Sequence, residues 1–253
     1  MRAVAEIVKN IPGIADSEPA KIFIAVMGPT IGLALGRGAF GLMANRVPKL
    51  TEGYAKAFDN DPEKVAEHAT KHESDANFND LLYRSFRLMM DAPDEDVVPT
   101  IGYLMGRYSI AGKKADGQFR RTGRLLCDIE GRELENLKTL LRDIVAKRDE
   151  IGDHGAHVVQ ELERTPTEED AEVYTARVSV MSSEGGGTPL PHAFDDPKRL
   201  FGLLKRERFA AESPPLNPGS YDEQAPEPGD KTMWVFFSDL EELLADIDPQ
   251  PAT

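Results

Sequence analysis

The stretch that decides the fold is Ile22 to Ala44, IFIAVMGPTIGLALGRGAFGLMA, the longest apolar run in the chain, with Arg37 as its one charge. A bilayer-spanning helix needs roughly 20 predominantly apolar residues, and the run meets that length. Three features oppose a simple span. Gly28-Pro29 interrupts its middle, glycines replace the bulky side chains that lipid contact favours, and Arg37 would lie in hydrocarbon at a cost of about 2.5–3.5 kcal/mol. Gly28, Gly32 and Gly36 keep the four-residue spacing that lets a second helix approach closely. The run therefore reads first as close-packed helices meeting at a Pro corner, with membrane contact and self-association as the alternatives.

Outward from this stretch the chain is helical. Residues 3–11 place Val4, Ile7 and Val8 on one face before Pro12-Gly13. Asp61-Pro62 has the form of a helix start, since Asp accepts from the first free amides and Pro fits the first turn. In 75–90, Phe78, Leu81, Leu82, Phe86 and Met89 recur at the spacing of a buried stripe. Val97, Val98, Ile101, Leu104 and Met105 repeat the pattern. So do Leu125 to Ile144, where Gly131 predicts a corner between two helices rather than one rod.

Beyond Gly152 the period changes. Tyr174, Ala176, Val178 and Val180 alternate with Thr175, Arg177 and Ser179, a strand signature. Pro197 to Phe209 predicts a helix, 212–230 an acidic Pro- and Gly-rich loop, Lys231 to Phe237 a strand, and Ser238 the cap of a helix running to Ile247. The expected fold is mainly α: a bundle-like helical domain over 1–150, then a smaller α+β domain over 151–253. Its helix, loop, strand and helix resemble the second half of a winged helix.

Charge sharpens the division. The formal net charge is −14, yet residues 151–253 hold 21 acidic and 8 basic side chains, against 23 and 22 in residues 1–150. Such a surface disfavours non-specific binding of nucleic acid or anionic lipid by the chain as a whole. Two basic clusters stand out against it. Lys113, Lys114, Arg120, Arg121 and Arg124 form a loop and helix start, and Lys198, Arg199, Lys205, Arg206 and Arg208 lie on the 197–209 helix. Both are candidate anion or nucleic-acid contacts, weighed against solvated faces paired with nearby acids.

No catalytic motif emerges, and no catalytic, cofactor or metal residue is assigned. His68 and His72 share a helix face and His154 and His157 form a second pair, but the His-Glu-x-x-His of zinc hydrolases is absent. Cys127, the single cysteine, excludes an intramolecular disulfide and sits in an apolar turn where an inert thiol is usual. Gly185-Gly186-Gly187 lacks the lysine of a phosphate loop. Glu6, Asp16 and Glu18 argue against a secretory signal, so the cytoplasm is the expected compartment, with a peripheral place at the inner membrane as the alternative.

Several of these segments together, AEIVKNIP, AKIFIAVMGPTIGLALG, NFNDLLYRSFRLMMDA, GRLLCDIEGRELENLKTLL, LFGLLKRERF and WVFFSDLEELL, give an order of elements that resembles the Abi-alpha family of helical bacterial proteins. That resemblance implies a role in abortive infection, the defence of bacteria against phage, and brings no catalytic residues with it. The expectation is a non-enzymatic interaction or effector protein with a protein partner or self-association. A nucleic-acid-binding regulator using helix 197–209 and a membrane-associated protein acting through 22–44 are the rivals.

Overall fold

The computed structural model describes residues 40–72, 74–151, 155–165, 173–181, 187–194, 196–212 and 232–249. Most of the 22–44 stretch, Gly28, Gly32 and Gly36, the 3–11 helix, His154 and nearly all of the acidic loop lie outside them. The fold is mainly helical with a five-stranded antiparallel sheet in the C-terminal part. Among the described residues no helix is long and apolar enough to cross a membrane.

By contact the chain forms two units. The first runs to Gly131 and takes in Asp246–Pro251, and the second holds Arg132–Ala245. In the first unit the helices are α1 (Phe40–Lys56), α2 (Pro62–Lys71), α3 (Ala76–Asp91), α4 (Val98–Ile110) and α5 (Gly117–Cys127), with a short 3-10 turn at Glu95–Val97. Asp61, Asp75 and Asp116 cap α2, α3 and α5 by accepting hydrogen bonds from amides of their first turns. The predicted stripe of α3 is buried in full, and Ile101, Leu104 and Met105 of α4 are sealed from solvent.

Helices α1 and α4 approach backbone to backbone because glycine stands at each crossing point. A Cβ at Gly53 would collide with the carbonyl of Pro99, one at Gly102 with the carbonyl of Leu50, and one at Gly106 would lie 2.5 Å from Ala57 Cβ. Gly102 and Gly106 stand four apart, the spacing of small residues that lets two helices approach closely. Arg46 closes α3 from outside: its buried guanidinium donates to the carbonyls of Met89 (2.7 Å) and Ala92 (2.9 Å), which a helix C-terminus leaves without partners.

The break expected at Gly131 is present, one helix ending at Cys127 and the next starting at Gly131. Asp94 Oδ2 accepts from the Gly131 amide at 2.9 Å while Oδ1 accepts from Asp96 N at 3.1 Å, and a side chain at 131 would strike Asp96 Cβ. Polar burial elsewhere in this unit converges on Asp246, 2% exposed, which accepts from Arg107 (2.9 Å), Thr122 Oγ1 (3.2 Å) and Gln118 Nε2 (3.4 Å).

The second unit contains α6 (Gly131–Ala146, from Arg132 onward), the short α7 (Arg148–Ile151), β1 (Gly155–Thr165), β2 (Val173–Met181), β3 (Gly187–Pro189), α8 (Pro197–Arg206), β4 (Ala210–Ala211), β5 (Thr232–Phe236) and most of α9 (Phe237–Ile247). The strand order is β3-β2-β1-β5-β4. Register pairs Val158 with Val180 and with Met233, so these side chains share one buried face with Val178, Val235 and Ala210. His157, Trp234 and Phe236 belong to the other face. Helix α9 starts at Phe237, directly from β5, so Ser238 lies in its first turn instead of capping it.

Candidate functional site

Among the described helices α8 is the most clearly two-sided. Asp196 caps it by accepting from Arg199 N at 3.0 Å, and Pro197 occupies the first turn, where its missing amide costs nothing. Pro197, Leu200, Phe201, Leu203 and Leu204 are buried. The remaining positions, 198, 199, 202, 205 and 206, fall on the opposite side at helical spacing. There Lys198, Arg199, Gly202 and Arg206 are exposed and Lys205 is half-buried.

Gly202 at the centre of this face has nothing within 4 Å of where a Cβ would stand. The result is a surface depression lined by Asp196, Lys198, Arg199, Gly202 and Lys205. Arg199 is held in place by Glu133 of α6: its Nη2 donates to Oε2 at 3.0 Å, and its Nε makes a closer contact with Oε1. The helix ends where Arg208 adopts a left-handed φ of 62°, which lets Phe209 N donate back to the Leu204 carbonyl at 2.8 Å and turns the chain into β4. A non-glycine residue there costs about 1–2 kcal/mol. Strand β4 then pairs with β5, Ala210 opposite Val235 and Ala211 opposite Trp234. The five cations named from sequence are thus split: Lys198, Arg199, Lys205 and Arg206 share one face of α8, and exposed Arg208 sits at the turn below it.

The other basic cluster lies in the first unit, at the turn between α4 and α5. Lys113, Lys114, Arg120 and Arg124 are exposed; Arg121 is half-buried and donates to Gln118 Oε1 at 2.5 Å. Arg120 and Arg124 stand one helical turn apart on α5, as their spacing predicts.

Three of the described histidines, His68, His72 and His157, pack against ring or carboxylate neighbours. His68 Nδ1 meets the hydroxyl of buried Tyr54 at 3.0 Å, its ring lies 4.5 Å from that of His72, and burial, then the His72 charge, push its pKa down. His72 Nδ1 lies 3.3 Å from Asp75 Oδ2. His157 is packed edge-on against Trp234 in the sheet, and burial lowers its pKa as well. Among the described residues no three His, Cys, Asp or Glu side chains converge as a metal site. The Cys127 thiol is pushed up to about 12 by burial and by Asp91 and Asp128, so it is protonated at neutral pH. It points at the Leu88 carbonyl, 3.6 Å away.

Compared with protein families, characterised proteins and solved structures, the chain matches no family model, no characterised protein and no solved structure. The chemistry of its own surfaces therefore carries the functional reading.

Proposed function

We propose that the protein is a non-enzymatic interaction protein whose working surface is the cationic face of α8, and that its partner there is a duplex nucleic acid. The observation that carries this reading is the arrangement around Gly202. The apolar side of α8 is spent inside its own unit, while Lys198, Arg199, Lys205 and Arg206 surround a bare backbone on the other side. Lysine and arginine around such a gap suit phosphate oxygens, and the missing side chain lets a sugar-phosphate strand come close to the helix. The winged-helix likeness seen in the sequence supports the same use, since α8, β4 and β5 follow one another as helix and antiparallel strand pair.

The acidic balance of residues 151–253 sets a condition. Binding that rests on a few phosphate contacts against a net negative background must fall steeply with salt. Fluorescence anisotropy with a labelled DNA duplex, at low and physiological salt, tests the reading. The wild-type chain should bind at low salt, and Lys198→Glu with Lys205→Glu should weaken binding more than tenfold while circular dichroism stays unchanged. Equal binding by both forms refutes it, and a preference for duplex RNA would move the partner class.

The biological setting follows the Abi-alpha resemblance: an effector in abortive infection, acting through such a contact. Challenge of expressing cells with a phage panel tests it, and unchanged plaque counts across a broad panel count against it.

A further inference from the structure

A second surface invites a different partner. From Ile110 to Lys114 five consecutive residues are exposed at the turn joining α4 to α5, and Ile110, at 49%, is among the most exposed large apolar side chains described. The turn is held rigidly. Ala111, Gly112 and Lys113 amides donate to the carbonyls of Arg107, Ser109 and Tyr108, and Gly112 takes the left-handed φ of 62° that a helix ending of this kind requires. Buried Ala115 anchors the far side, and Asp116 spends its carboxylate on the first turn of α5.

The segment that forms this turn is cationic in sequence. Residues 97–127 contain six lysines and arginines and a single acid, Asp116, in a chain of net −14. Arg107 pairs with Asp246 and Arg121 donates to Gln118 Oε1, and Lys113, Lys114, Arg120 and Arg124 are the exposed cations of this segment. Lys113 Nζ is poised 5.4 Å over the Tyr108 ring, so its position is partly fixed before any partner arrives.

We infer that this turn is a docking surface for an anionic phospholipid bilayer. A polyphosphate chain would gain from the cations alone and would meet Ile110 and Ala111 where it needs donors. A bilayer surface uses both: the apolar apex enters the boundary between headgroups and acyl chains, and the flanking cations stay at headgroup level. The attachment is peripheral and salt-sensitive, and it draws on residues of the first unit, none of them on α8.

Co-sedimentation of the full chain with vesicles tests this, using equimolar phosphatidylglycerol and phosphatidylcholine against phosphatidylcholine alone. The wild-type chain should partition onto the anionic vesicles only, and less so as salt rises. A lysine near an anionic surface contributes about fivefold in partitioning, so Lys113→Gln with Lys114→Gln should weaken binding about 25-fold. Ile110→Ser should weaken it further, and Lys198→Gln with Lys205→Gln should leave it unchanged.

Because Lys113 packs on Tyr108, Lys114→Gln alone, about fivefold weaker, serves if the double variant loses its helical signal. Binding to phosphatidylcholine vesicles, or binding that survives the lysine substitutions, overturns the inference and points to the 22–44 stretch. Loss of duplex DNA binding in the Lys113 and Lys114 variant, with vesicle binding intact, overturns it in favour of a second nucleic-acid contact.

Discussion

Replacing Gly102 by alanine should destabilise the protein, whereas the same change at Gly202 should stabilise it. Both glycines lie inside helices, where alanine is better by about 1 kcal/mol because it restricts the unfolded backbone. At Gly202 nothing lies within 4 Å of the added methyl, so that gain stands alone. At Gly102 the methyl would overlap the Leu50 carbonyl oxygen and sit 2.9 Å from Tyr54 N. Ordinary contact begins near 3.4 Å, so α1 and α4 must part by about half an ångström at Tyr54 and by more at Leu50. The obstructing atoms are backbone and cannot rotate aside. Overpacking of this kind costs about 1–3 kcal/mol and sometimes more; the rigid obstruction places it at the upper end, and the propensity gain leaves a net loss of about 2 kcal/mol. For a chain of this size that is a fall in Tm of about 4–8 °C, against a rise of about 2–4 °C for Gly202→Ala. Thermal unfolding followed by circular dichroism measures both. If Gly102→Ala melts with or above the wild type, the close crossing of α1 and α4 is refuted.

Asp246→Asn should cost about 2–3 kcal/mol in urea unfolding, a little under the usual cost of a broken buried pair because Arg107 is one-third exposed: the amide removes the charge and keeps only one acceptor oxygen, so its NH2 must face either Arg107, which donates to Oδ1, or Gln118 and Thr122, which donate to Oδ2. Full stability of that variant would show that the cluster contributes little. Asp94 gives a pH test: the Asp96 and then the Gly131 amide hold its carboxyl below the ordinary range. A depressed carboxylate stabilises the fold above its unfolded pKa near 3.8, and that contribution vanishes as pH falls through the lower folded value. Asp94→Asn should therefore be less stable than wild type at pH 7, with the gap closing below about pH 4. A gap that stays constant with pH would place the cause elsewhere.

Much of the helical part was legible because its signals are local. Asp61-Pro62, the stripe from Phe78 to Met89 and the break at Gly131 each declare themselves within a few residues, as does the alternation of Tyr174 to Val180. Strand β1 escaped because alternation fails where a strand is covered on both faces, and Ala156, His157, Val158 and Val159 are buried in succession. Strand β4, two residues long, has no period to read. The cations of α8 were visible as a cluster, but their ring around Gly202 required the limits of the helix. Partners distant in sequence left no trace: nothing near Arg46 announces the carbonyls of Met89 and Ala92, and Gly102 and Gly106 pass for part of an apolar face until α1 is laid against them.

The sheet register bears on how the chain is made. Strand β1 lies between β2, which follows it at once, and β5, whose register sets Gly155 opposite Phe236. The β1–β2 hairpin can close as soon as it leaves the ribosome, yet one side of β1 has no mate until β5 emerges. Arg107 waits longer still for Asp246, 139 residues later. Non-local pairings of this sort are slow to form, and an unmatched strand beside a finished hairpin is the kind of surface that chaperones hold. The helices up to α5 can pack during synthesis, and the sheet can be completed only near its close.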